Sequence, residues 1–150
     1  MKRILVALAT SALTATGLVG LSASPAAASS PACTTWIQTQ IPSGRGLAEL
    51  PGTSTGSTYC HLQRYLINRG VLNLQGTLNL CYAYYHNLNL GHGAGVPIAE
   101  DGNFGPETVT AMKRVQAFEH VDVDGIYGPN TRNAMEFPHV DASSGCVPYR

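Results

Sequence analysis

Residues 101–112 read DGNFGPETVTAM, and residues 124–135 read DGIYGPNTRNAM. Asp, Gly, Gly, Pro, Thr, Ala and Met recur at matching places, and Phe104 stands against Tyr127. So many matches in so short a window mark a repeated structural device. Asp-Gly forms a turn, the glycine being free to take positive φ. The aromatic that follows can plug into a core. Gly105-Pro106 and Gly128-Pro129 then open helices, because proline at the first helical position gives up an N–H that has no partner there anyway. Glu107 sits in the first turn, where the helix dipole favours an acid. In a helix over 106–120, Ala111, Val115 and Phe118 recur at i, i+4, i+7, with Val109 and Met112 flanking. A shorter helix runs from Pro129 to about Glu136 and ends before Pro138.

Working upstream, Ser57 or Thr58 can cap a third helix in which Tyr59, Leu62 and Leu66 share a face. Gly70 is read as its left-handed C-terminal cap. Between this helix and the first turn, residues 71–80 read VLNLQGTLNL, near-symmetrical about Gln75-Gly76. Alternating Leu and Asn around a glycine fit a short hairpin. A glycine-rich loop, Gly91 to Gly95, follows. The expected fold is all-α: a small three-helix bundle with a hairpin and loop insertion over 71–99 and two disulfides.

The stretches GSTYCHLQRYLINRG (56–70), DGNFGPETVTAMKRVQAF (101–118) and DVDGIYGPNTRNAM (122–135) resemble the peptidoglycan-binding domain family. Leu62-Gln63 matches the Leu-Gln of that family's first helix, and Val115-Gln116 falls where the family has Phe-Gln. The resemblance implies a three-helix domain, usually appended to bacterial cell-wall hydrolases, that binds wall glycan or stem peptide. The 71–99 stretch is longer than the family's usual connection, and cysteines are not part of its pattern.

The rest of the chain is consistent with export. Met1-Lys2-Arg3, an apolar run to Leu21 and the small residues ending Ala26-Ala27-Ala28 have the order of a secretory signal peptide. A membrane anchor is the weaker reading, since hydroxyls and glycine dilute the span. Ser30 stands where a lipid-attachment motif before Cys33 prefers leucine. Cleavage after Ala28 leaves seven basic against nine acidic residues. Charged residues make up only 12% of the chain, so it lacks the basic face a nucleic-acid binder needs. The segments are then a signal peptide (1–28), an N-terminal extension (29–49), a wall-binding domain (50–136) and a C-terminal tail (137–150).

Cys33, Cys60, Cys81 and Cys146 make an even count in an exported chain, which reads as two disulfides. Three pairings are open. The preferred one is Cys60–Cys81, pinning the insertion to a helix, with Cys33–Cys146 tying the ends.

Candidate ligand-binding residues are Arg64 and Asn68 on the polar side of the first helix, Tyr85 and His86 in the insertion, and Tyr127, whose hydroxyl can face a groove or a buried partner. Tyr82 and Tyr84 are read as cover for the core. A zinc hydrolase using His92, Asp101 and His139, with Glu136 as base, is the enzyme alternative. Its spacing departs from the wall-cleaving zinc peptidases, and Asp101 is already claimed by the repeat. Asp122-Val123-Asp124-Gly125 fails the calcium-loop pattern, which would place Thr131 where a Glu is required. No nucleophile elbow or phosphate loop occurs. The expectation is a secreted, noncatalytic binder of peptidoglycan, without cofactor or metal, and without nucleic-acid or membrane partners once the leader is removed. Recruitment of a separate wall hydrolase, or regulation of one through the insertion, is the alternative among binding roles.

Overall fold

The computed structural model describes residues 30–141 and 145–150; the expected signal peptide lies outside the described residues. Two strands open the fold: β1 (Thr35–Gln40) and β2 (Leu47–Gly52). They pair antiparallel from Thr35 opposite Gly52 to Gln40 opposite Leu47. Helix α1 (Arg69–Thr77) runs on directly into a π-helix (Leu78–Tyr85). Helices α2 (Pro106–Phe118) and α3 (Pro129–Ala134) follow. Strands β3 (Glu136–Pro138) and β4 (Cys146–Pro148) close the chain as a second antiparallel pair.

The all-α expectation is therefore overturned, because two antiparallel two-stranded sheets accompany the helices. The segments expected to be an extension and a tail form these sheets, and α1 packs on β1 and β2. Helices α2 and α3 begin at the expected prolines.

The first expected helix is not one. Residues 57–68 form an extended strap that laces the two turn motifs together. Leu62 and Tyr127 exchange backbone hydrogen bonds of 2.8 and 2.9 Å, while Phe104 N–H donates to Leu66 O and Asn68 N–H to Gly102 O. The helix begins where the strap ends. Asn68 is its N-cap, accepting from the Val71 N–H at 3.0 Å. Gly70, expected to end a helix, is the second residue of α1. A Cβ there would stand 3.1 Å from the carbonyl oxygens of Cys33 and Thr35, so the glycine admits the crossing N-terminal segment.

The expected hairpin over 71–80 is likewise helical. Val71, Leu74, Leu78 and Cys81 are buried at helical spacing, while Leu72 and Leu80 face outward. Tyr82 is buried as expected, but Tyr84, expected to cover the core, is exposed.

The disulfides are Cys33–Cys60 and Cys81–Cys146, not Cys60–Cys81 and Cys33–Cys146. The first ties the approach to β1 to the strap, and the second ties the π-helix to β4. One core takes Phe104 and Tyr127 from the two turns together with Leu50, Leu62, Leu74 and Phe137. Among the described residues no helix is long and apolar enough to cross a membrane.

Candidate functional site

Each turn motif is plugged by a buried glutamine. Gln75 Nε2 donates to Asp101 Oδ1 (2.8 Å), Asn103 O (3.1 Å) and Thr108 Oγ1 (3.1 Å), and its Oε1 accepts from the Gly102 N–H (2.8 Å). Gln116 repeats this set on Asp124, Ile126, Thr131 and Gly125 at 2.7, 3.0, 3.1 and 2.8 Å. The repeated Asp, Gly and Thr are therefore socket residues for a glutamine. Gly102 and Gly125 stand at φ 71° and 79°, which presents their N–H groups to the glutamine oxygens. Gln116 lies eight residues before its aspartate and Gln75 lies 26 before its own. The extra residues are the π-helix and the glycine-rich loop. The glutamine equivalent to Gln116 is thus Gln75, not Gln63.

The socket and the core set two carboxyls apart. The Gln75 amide, then the Asn103 N–H, hold the Asp101 carboxyl below its ordinary range. Burial holds that of Glu119 above its own. Stability owed to Asp101 is complete above the ordinary aspartate value and is lost as pH falls through its lowered one. For Glu119 the favourable state is the protonated one, so stability falls as pH rises through its raised value. Asp101→Asn is expected to flatten the acid limb of a denaturation-midpoint profile against pH, and Glu119→Gln to flatten the fall above it.

The expected ligand residues are divided by the fold. Arg64 is exposed on the strap. Asn68 is spent on the cap and on Cys33 O (3.0 Å). Tyr127 is fully buried with its hydroxyl unpartnered, and its ring meets Phe137 edge-on, so it faces no groove. Tyr85 and His86 lie at the end of the π-helix. There His86 Nε2 meets Glu136 Oε2 at 2.9 Å and its ring lies 4.9 Å from that of Phe118. Tyr82 joins the same corner, donating its hydroxyl hydrogen to Glu119 Oε1 (2.6 Å) and accepting from the Glu136 N–H (2.8 Å). The residues of the zinc alternative are dispersed among other partners: His92 pairs with Glu107, Asp101 with Gln75, and His139 Nδ1 accepts from the Asp141 N–H.

The strap and the second turn together build a site of which the sequence reading named only Arg64. Clefts of about 330 and 380 Å³ lie on the two sides of a ridge formed by Asp124 and Ile126, which line both. Tyr59 walls the first and is 58% exposed. Tyr65, 79% exposed, walls the second beside Arg64, whose guanidinium carbon is 4.9 Å from the Tyr65 ring centre. Tyr65 adopts φ 77°, a conformation that non-glycine residues reach only at a cost. Its N–H bond to Phe104 O helps hold it there, so the ring is presented outward on a fixed backbone. Reading the strap as a helix had placed Tyr59 on its apolar face. The available signal was Tyr65-Arg64 itself, an aromatic and a cation side by side on a segment with no apolar need for either.

The chain matches no curated protein. The family model of the peptidoglycan binding domain matches residues 55–135, which span the strap, both sockets and both tyrosine clefts. With that match covering more than half of its length, the chain belongs to the peptidoglycan binding domain family.

Proposed function

We propose that this chain is an exported, noncatalytic reader of cell-wall peptidoglycan, and that the reading surface is the paired cleft around the Asp124–Ile126 ridge. The observation that carries this reading is the exposure of Tyr59 and Tyr65 on either side of that ridge, inside the family segment. Tyrosine faces suit the C–H faces of sugar rings, and their hydroxyls reach polar groups. Arg64 and the neighbouring carboxylates supply partners for the amides, hydroxyls and carboxylates of a glycan carrying peptides. The two disulfides agree with an oxidising compartment.

Co-sedimentation with purified, polymer-stripped peptidoglycan tests this. The wild-type protein is expected to pellet with the wall. Truncating an aromatic anchor removes on the order of 1–2 kcal/mol, so Tyr59→Ala combined with Tyr65→Ala is expected to weaken binding by at least about tenfold. Tyr84→Ala with Tyr85→Ala, on the π-helix, is expected to leave binding unchanged. Equal loss from both pairs would move the site to the insertion. Failure of the wild type to pellet would remove the reading.

A further inference from the structure

The N-terminal hairpin, outside the matched family segment, lies against α1 and leaves a third cleft, of about 250 Å³, at their junction. Its lining is mixed in a specific way. Trp36 from β1 and Leu72 from α1 are apolar and remain 44% and 42% exposed. Glu49 from β2 and Arg69 from the first turn of α1 bring one negative and one positive charge. These two do not pair with each other; the ion pairs among the described residues are His86–Glu136 and His92–Glu107. Glu49 is held in place by Gln38, whose Nε2 donates to its Oε1 at 2.8 Å. Asn73 completes the lining.

A cation and an anion left unpaired in one small cleft, beside an aromatic wall, are complementary to a ligand carrying both charges itself. A sugar hydroxyl can bond to either group but neutralises neither, whereas a zwitterion offers each an opposite charge. We propose that this cleft binds the zwitterionic head of an α-amino acid attached to an aliphatic chain. Its carboxylate meets the Arg69 guanidinium, a pairing that geometry favours. Its ammonium meets the Glu49 carboxylate, and its methylenes lie between Trp36 and Leu72. Two sources supply this head: a free amino acid, and the free end of a diamino-dicarboxylic residue in a wall peptide.

Trp36 is the single tryptophan of the chain, so its fluorescence reports this cleft directly. The experiment titrates the full chain with three soluble probes: an acylated wall tripeptide ending in 2,6-diaminoheptanedioate, the same tripeptide ending in lysine, and free norleucine. The lysine peptide offers the ammonium without the adjoining carboxylate. The diamino-diacid peptide is expected to shift the Trp36 signal at concentrations at least about tenfold below the lysine peptide, one lost charge-assisted pairing being worth about that factor. Arg69→Gln and Glu49→Gln, both conservative and outward-facing, are each expected to abolish that preference with unchanged circular dichroism. Norleucine matching the peptide would assign the cleft to free amino acids, and norleucine failing would assign it to the wall peptide; both keep the zwitterion. A silent Trp36 at millimolar probe, or equal response to the two peptides, overturns the proposal. These titrations use soluble ligands, so their outcome is independent of whether Tyr59 and Tyr65 carry wall binding.

Discussion

Gln116→Met is expected to destabilise the protein by about 3–5 kcal/mol, a larger loss than any surface substitution would cause. Gln116 is fully buried, and its amide makes four of the hydrogen bonds that hold the second turn. Methionine keeps the length and nearly the volume of the side chain, so the cavity contribution is small and the loss reports hydrogen bonds. The Gly125 N–H, bonded to Gln116 Oε1 at 2.8 Å, is left buried and unpaired. So are Ile126 O and Thr131 Oγ1 on the donor side, apart from the bond they make to each other. An orphaned buried group costs about 1–3 kcal/mol, and several are created at once. Against a total stability of about 5–15 kcal/mol, a urea midpoint would register the change clearly. Gln75→Met is expected to give a similar loss, since its four bonds are the same four. Gln116→Glu is expected to be at least as damaging, because a carboxylate cannot donate to Asp124 Oδ1. A loss below about 1 kcal/mol in both methionine variants would mean that the sockets do not hold the turns.

Those sockets mark the boundary between what was legible in the sequence and what was not. The repeat announced itself because each socket draws its ligands from one continuous stretch: Asp101 to Thr108, and Asp124 to Thr131. Helices α2 and α3 follow from the prolines within those stretches, and Phe104 and Tyr127 do enter a common core. The plug for the first socket comes from 26 residues upstream, across the π-helix and loop, so no local spacing reveals it. Two periods also competed over residues 71–80. Leu72, Leu74, Leu78 and Leu80 read as alternation, whereas Val71, Leu74 and Leu78 read as a helix. Burial chose the second, leaving Leu72 and Leu80 outside. The strap failed for the complementary reason. Tyr59, Leu62 and Leu66 have helical spacing, yet the backbone groups of Leu62, Leu66 and Asn68 are drawn to the turns by tertiary pairing. That displacement turned Tyr59 and Tyr65 outward and hid the candidate site from sequence reasoning. The N-terminal hairpin was not legible: in Thr35-Trp36-Ile37-Gln38-Thr39-Gln40 the two large apolar residues stand side by side rather than in alternation, and Leu47–Gly52 carries two residues, Pro51 and Gly52, that argue against a strand.

Opening the disulfides is expected to produce the second large loss, and to separate stability from binding. Cys81–Cys146 spans 65 residues and Cys33–Cys60 spans 27. On the chain-entropy account such bridges contribute about 4 kcal/mol each, the longer loop slightly more. Without Cys81–Cys146, β4 keeps only a three-residue ladder to β3, in which Pro148 has no N–H to give. Its remaining hold is the burial of Val147 and Tyr149, the Tyr149 N–H bond to Met135 O, the Ser43 N–H and hydroxyl bonds to Tyr149 O and Pro148 O, the Thr58–Tyr149 hydroxyl contact, and the Arg132 guanidinium over the Tyr149 ring. Cys81→Ala with Cys146→Ala is therefore expected to free the C-terminal strand and lower the melting temperature by roughly 8–16 °C. It should leave the strap in place, so peptidoglycan binding should persist at temperatures where the variant is folded. Cys33→Ala with Cys60→Ala acts at the other end. Cys60 is adjacent to Tyr59, and the bridge fixes the strap against the N-terminal segment that Asn68 also holds through Cys33 O. Thermal loss of similar size is expected there, together with weaker co-sedimentation even where circular dichroism shows a folded protein. If both pairs lose stability and neither loses binding, the position of Tyr59 does not govern wall recognition; if the Cys81–Cys146 variant alone loses binding, the reading surface lies at the π-helix.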